Sequence, residues 1–402
     1  MKKALKLSLL PRIAIAIAAG IGIGLVAPDW LSRLCATFNE VFGQFLNFLI
    51  PLIILGFVTP AIGDIGKSAG KMLVATALLA YVATLFAGFT SYFTCNMIFP
   101  SIITADPALL SVKQESAQIA PWFTMPMPPA LPVMTALVLA FLLGLGIAFT
   151  DGCVLKNGAD EFRSIIAKSI SKAVIPLLPF YIFGIFMNMT VSGTVATILV
   201  AFVKVIAVIF CLHIFILLFQ FAVASLFNGK NPLRMLWTMM PAYFTALGTQ
   251  SSAATIPVTL RQTVRMGVSE DVAGFVVPLC ATIHMSGSTL KIVACALAIM
   301  LLQGLPYDAA MFANFIAMLG VTIVAAPGIP GGAIMASLGL LSGILGFSDA
   351  QNALMIALYI AMDSFGTACN VTGDGALAVI INRFFGKNIN KNSIISNESA
   401  NG

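Results

Sequence analysis

Asp363, Thr367, Asn370 and Asp374 stand at intervals of four, three and four residues in the segment AMDSFGTACNVTGDGALAV. That spacing places all four along one face of a helix. Two carboxylates, an amide and a hydroxyl on one face suit a hard cation such as Na+, or form a polar stripe that only holds helices together. The VTGDG stretch that follows predicts a bend whose freed carbonyls would also suit Na+. A second polar run, ATIHMSGSTLK, carries Thr282, His284, Ser286, Ser288 and Lys291. His284, Ser288 and Lys291 are spaced by four and three, so they too share a face. A histidine there has two chemistries open to it, proton handling or a neutral bond to backbone. Lys291 has three: pairing with Asp363 or Asp374, standing as a fixed cation, or meeting an anionic substrate.

The surroundings make these residues informative. Of 402 residues, 59% are apolar and 9% charged, against about 25% charged in a soluble globular chain. No charge occurs from Val41 to Gly63, Met72 to Ala105, Ser116 to Thr150, Ala173 to Val203 or Ala309 to Ser348. Between Val272 and Tyr307 the only formal charge is Lys291. Runs of this length and uniformity predict an all-α polytopic membrane protein, because a barrel would show short alternating segments. A charge inside a span costs ~2.5–3.5 kcal/mol on insertion scales, so Asp363, Asp374 and Lys291 each require a reason. Lys204 and His213, in another apolar run, are expected to snorkel or hydrogen-bond locally and receive no function.

The net charge of +6 does not call for nucleic acid. With the N-terminus inside and eight spans threaded, seventeen of the 21 Lys and Arg fall on one face and only Arg33 and Lys113 on the other. This is the positive-inside asymmetry, and it predicts a multi-pass protein of the cell membrane with both termini cytoplasmic. The seven cysteines show no CxxC spacing and read as small buried hydrophobes. With two histidines in the chain, no metal site beyond Na+ is expected. The basic, apolar N-terminus reads as a retained first helix.

Spans are expected at Leu9 to Pro28, Val41 to Gly63, Met72 to Pro100, Pro129 to Thr150, Ile165 to Met189 and Val195 to Phe227. A Pro-rich connection, Ser101 to Pro128, lies on the outer face. Beyond residue 235 the pattern changes. Leu236 to Leu260 could cross, yet its centre reads TALGTQSSAATIP, poor material for a lipid-facing helix. Ala309 to Ser348 is broken by AAPGIPGGA and is too short for two full spans. Each is expected to be a re-entrant hairpin of two half-helices. Each is followed by a full span, Val272 to Gln303 and Gln351 to Arg383. Hairpin plus helix, twice, is the pattern of an inverted repeat, and paired interrupted segments mark a transporter's midplane site. The tail, 388–402, is polar and expected to be disordered.

Four motifs in one order, TQSSAATIPVT, ATIHMSGST, PGIPGGA and DSFGTACNVTGD, make the chain resemble the dicarboxylate/amino acid:cation symporters, the glutamate-transporter-like family, over about Leu9 to Lys387. The resemblance implies a homotrimer in the lipid bilayer. Spans within 1–235 would be mainly a scaffold, with span 3 and part of span 6 associating with the transport core. That core, 236–387, would move as an elevator. It implies that Ser252 and Asn370 bind the substrate α-carboxylate and that Asp363, beside Thr367, binds its amino group. Ser288 joins this substrate group, and the backbone of Gly328 and Ile329 would be the outer gate. Asp374 and the Asn370 carbonyl resemble one cation site and the Thr282 backbone part of another. Tyr81 and Thr84 resemble ligands of a further sodium, and His284 stands at an altered cation position. No organic cofactor is implied; the coupling ions would be Na+ and/or H+.

Three departures from the family pattern bear on substrate. Gly366 stands where acidic-substrate members carry an arginine, and a carboxylate loses its bidentate partner there. His284-Met285-Ser286-Gly287 replaces Asn-Met-Asp-Gly, which implies fewer sodium ions or a proton in place of one. Gln250 stands where the first tip often has arginine. The expected activity is cation-coupled uptake of a small neutral amino acid, not an enzymatic reaction. The alternatives are a dicarboxylate or acidic amino acid carrier using Lys291 or Gln250, a non-transporting sensor or channel, and a membrane hydrolase with Ser252 as nucleophile and His284 as base. No nucleophile-elbow spacing supports the last.

Overall fold

The computed structural model describes residues 9–67, 71–103, 119–150, 152–324 and 331–400. Every regular element among them is helical: α1 (Leu9–Gly24), α2 (Asp29–Lys67), α3 (Lys71–Ile102), α4 (Val133–Phe149), α5 (Val154–Ser169), α6 (Ile175–Val191), α7 (Val195–Asn228), α8 (Pro232–Thr249), α9 (Ser252–Arg265), α10 (Glu270–Ile283), α11 (Ser286–Leu302), α12 (Ala309–Val324), α13 (Gly332–Leu345), α14 (Asp349–Ala361) and α15 (Asp363–Ala400). A π-helical turn, Ile170–Val174, joins α5 to α6 without a break. It ends two residues before Pro176, whose ring excludes a regular bond to the carbonyl four residues back. Among the described residues five helices are long and apolar enough to cross a membrane, counting α5–α6 and α10–α11 each as one, and six if α14 and α15 also count as one span. Several shorter apolar helices accompany them. The chain is membrane-embedded and multi-pass.

The helices divide by what they face. Ile15, Leu78, Phe93, Leu142, Phe180 and Val203 on the early helices are exposed, as lipid contact requires. Around them α2 packs on α4 and α1 on α6. By contrast α11 is buried continuously from Ser286 to Met300 and α14 from Gln351 to Ile360. α3, α7 and α15 pack against α11. The polar runs therefore lie on the innermost helices, where a side chain must find its partner within the protein.

The first interrupted segment breaks by local means. α8 turns into α9 through Gln250, the one non-glycine residue at positive φ (55°) among the described residues. Ser251 then caps α9 by accepting from the Ala254 N–H at 3.3 Å. α12 and α13 flank residues 325–330, so Gly328 and Ile329 lie outside the described residues. Two of the spans expected to be continuous are broken as well. The seventh splits at His284–Met285, where φ/ψ of −97°/105° and −127°/39° leave the helical region. The eighth bends by 61° at Met362, so α15 begins on Asp363.

The expected VTGDG bend does not form: α15 runs through Val371 to Gly375 as helix. The glycines there serve close approach instead. A Cβ on Gly373 would strike Gln220 and His284, and one on Gly375 would strike Met239. The tail also departs from expectation, since α15 continues to Ala400. No Pro or Gly from Lys387 to Ala400 stops it. Of the Ser101 to Pro128 connection, residues 119–128 are irregular, and the Trp122 N–H donates to Thr37 Oγ1 at 2.9 Å.

Candidate functional site

α11 and α15 face each other in antiparallel register, and their polar residues meet in rungs. Lys291 Nζ lies 3.1 Å from Asp363 Oδ1. Asn370 Nδ2 donates to Ser288 Oγ at 3.0 Å. His284 Nδ1 lies 2.9 Å from Asp374 Oδ1. The three positions on each side are the ones that share a face by spacing, so each periodicity is read by the other helix.

The broken helices supply the geometry. The first turn of α11 has no side-chain cap of its own. Asn370 provides one from α15, its Oδ1 accepting from the N–H groups of Gly287 at 2.8 Å and Ser288 at 3.3 Å. Asp363 does the same for the second interrupted segment, accepting from the Gly331 N–H at 2.8 Å on Oδ2. Gln250 at the first tip donates to Ser364 Oγ at 2.9 Å. The starts of α9, α11, α13 and α15 are thereby gathered around one polar core. Unpaired N–H groups and the positive dipole end at a helix start favour an anion such as a carboxylate.

Each rung has further partners. Lys291, fully buried, is 3.4 Å from the Tyr359 carbonyl and 3.4 Å above the Tyr359 ring centroid. Tyr359 donates its hydroxyl to Ser288 Oγ at 3.2 Å, which links the first rung to the second. Gln220 on α7 reaches the third, with Nε2 3.3 Å from His284 Nε2 and 3.2 Å from Ser286 Oγ. Asp374 and Gln220 thus occupy the two ring nitrogens of His284, one on each. His284 bonds a carboxylate, not the backbone. His213, expected to bond locally, is buried and lies 3.1 Å from the Gly287 carbonyl across the helix pair. Lys204 does bond at the helix surface, donating to the Ile102 carbonyl at 2.6 Å.

Other expected residues stand apart. Thr282 is exposed, and its hydroxyl returns to the Leu279 carbonyl at 2.8 Å. Tyr81 donates to the Ala317 carbonyl on α12 at 3.3 Å. Ser252 and Thr367 are buried at 6% and 7% exposure. Nine buried side-chain oxygens make no hydrogen bond among the described residues, and four of them, Oγ1 of Thr84, Thr289 and Thr372 and Oε1 of Gln220, lie on α3, α11, α15 and α7. Unsatisfied hard oxygens of this kind are what a small cation such as Na+ takes as ligands. Among the described residues no group of three His, Cys, Asp or Glu could hold a transition metal.

Gln220 and Tyr359 are the site residues that sequence reasoning missed. Gln220 is the one amide in the apolar run Ala201 to Phe227, the same signal that drew attention to His213. Tyr359 has no such signal, since an aromatic residue in an apolar helix ordinarily reads as core.

A model of the sodium:dicarboxylate symporter family matches residues 9–384. Among curated relatives, the serine/threonine transporter SstT of Acinetobacter baumannii strain ATCC 17978 is 25% identical over 383 residues, covering 92% of this chain and 95% of the relative. The protein of the same name from strain AYE shows the same identity and coverage.

Proposed function

The chain belongs to the sodium:dicarboxylate symporter family, and we propose that it couples inward Na+ movement to uptake of a small neutral amino acid. It is a transporter and not an enzyme. The observation that carries the substrate reading is the neutralised first rung. Lys291, the one cation near the position where an arginine would grip a second carboxylate, is held by Asp363. Gly366 offers no replacement, because a Cβ there would lie 2.8 Å from Lys291 Nζ. An acidic side chain or a dicarboxylate would therefore find no free cation at this rung. The 25% identity to serine/threonine transporters supports the same substrate class.

In this reading the substrate carboxylate is received by Ser252, Asn370 and the helix starts around them, with Ser288 orienting Asn370 and Thr367 nearby. Its amino group is received by Asp363, and the backbone of Gly328 and Ile329 forms the gate. Sodium is bound through Asp374, the Asn370 and Thr282 backbone, and the Tyr81 and Thr84 region. His284 fills a cation position on Asp374, which reduces the sodium set or places a proton there. Residues 236–387 move against a scaffold drawn mainly from 1–235, in a homotrimer of the cell membrane with both termini cytoplasmic.

Uptake by the purified protein in liposomes tests this directly. Labelled neutral and acidic amino acids and C4 acids are offered under an inward Na+ gradient, an inward proton gradient, or neither. The expected result is Na+-driven neutral uptake, lost in Asp363→Asn and Asp374→Asn. Proton-driven uptake lost in His284→Gln would move the coupling ion to H+. Acidic uptake would overturn the substrate reading, and flux unable to run uphill would replace the symporter with a channel.

A further inference from the structure

We propose that Lys291 is a resident ammonium: without substrate it holds the position on Asp363 that the substrate's amino group takes during uptake, and so lets the unloaded protein cross back without a counter-ion. This rests on the amino acid reading above.

Both oxygens of Asp363 are filled from within the chain, Oδ1 by Lys291 Nζ and Oδ2 by the Gly331 N–H. An incoming ammonium that takes the Oδ1 position displaces the lysine from it. The lysine has a seat to fall back on. The Tyr359 ring and the Tyr359 carbonyl each lie 3.4 Å from Nζ, and an aromatic face with a carbonyl holds a desolvated cation. The seat depends on position 366. A Cβ on Gly366 would sit 2.8 Å from Nζ and 3.0 Å from Cε, so a side chain there would shift the lysine's end from this place.

Charge supplies the functional argument. Asp363 alone would be an uncompensated buried carboxylate, and moving it through a bilayer is strongly unfavourable. With Lys291 in place the unloaded rung is neutral. With a zwitterionic substrate bound, the amino group neutralises Asp363, the helix starts take the carboxylate, and the released Lys291 rests on Tyr359. Asp363 is then paired with a cation in the loaded and unloaded forms alike, so both can cross, whereas without the lysine only the loaded form pairs it.

The test compares two modes of transport with L-serine as probe. Net uptake into serine-free liposomes requires return of the unloaded protein; exchange against internal serine does not. Lys291→Met is expected to keep exchange, to bind serine about tenfold more tightly because the internal competitor is gone, and to lose about tenfold in net uptake. Lys291→Gln, of similar length and no charge, should behave alike and covers a folding failure of the first variant. Net uptake and exchange falling together in either folded variant, or neither changing, would overturn the proposal. Wild-type protein that moves serine in neither mode would defeat the amino acid reading instead. The lysine is then judged by melting temperature with methylammonium. A rise in Lys291→Ala, absent from wild type and from Lys291→Ala/Asp363→Asn, supports a resident ammonium; no rise refutes it.

Discussion

Asp363 joins a lysine on α11 to the start of α13. Replacing it with asparagine leaves Lys291 charged, buried and without its anion. The cost of breaking such a pair is about 3–5 kcal/mol. Asp363→Asn is therefore expected to melt several degrees lower than wild type, read by intrinsic fluorescence in detergent. Asp363→Asn/Lys291→Met removes the stranded charge and should recover most of that stability while remaining unable to take up amino acid. Additive losses in the double variant would mean that the two residues are not coupled. The residue types at this rung were legible in the sequence. Which of two carboxylates Lys291 chose was not, since Asp363 and Asp374 lie on the same helical face and only the register with α11 separates them.

At the scale of elements, the breaks in the helices do the positioning. Gln250 shows how one is made, with its backbone in the left-handed region and its side chain bonded to Ser364. A non-glycine residue there stores about 1–2 kcal/mol, and the hydrogen bond returns about 0.5–1.5 kcal/mol. Gln250→Gly loses the bond and the strain together, so its melting temperature should stay within about 2 °C of wild type. Gln250→Ala loses the bond and keeps the strain, and should melt lower than Gln250→Gly; the reverse order would show that the turn is not strained. Both interrupted segments announced themselves in the sequence through Gly, Pro and hydroxyl residues at their centres. The breaks at His284 and Met362 did not. No proline or glycine sits at either, and at the first a partner helix receives what the break exposes: Asn370 takes the freed N–H groups of α11.

For the whole molecule, the expectation concerns ion binding as a force on folding. A ligand that binds only the folded form raises stability by RT ln(1 + [L]/Kd), about 2.7 kcal/mol at one hundred times Kd. Raising NaCl against choline chloride at constant ionic strength should therefore raise the melting temperature of the full chain. Asp374→Asn should flatten that response, and Thr84→Val should reduce it if the unpaired Thr84 hydroxyl is a ligand. An equal response to choline would assign the effect to general salt.

What the sequence determined by itself is what depends on local order. Apolar runs of span length, two interrupted segments and two polar faces with helical spacing are properties of residues within about two turns of one another, and the physics of the bilayer leaves few ways to read them. Tertiary structure alone decided the pairing: Lys291 with Asp363, Ser288 with Asn370, and His284 with Asp374 and Gln220. Those partners are 64 to 90 residues apart. Helical periodicity states which side chains point the same way, but not which helix they point at or in what register. That choice is made by close packing of the innermost helices, where Gly366 and Gly373 admit Lys291 and the Gln220–His284 pair at distances that a side chain at either position would forbid.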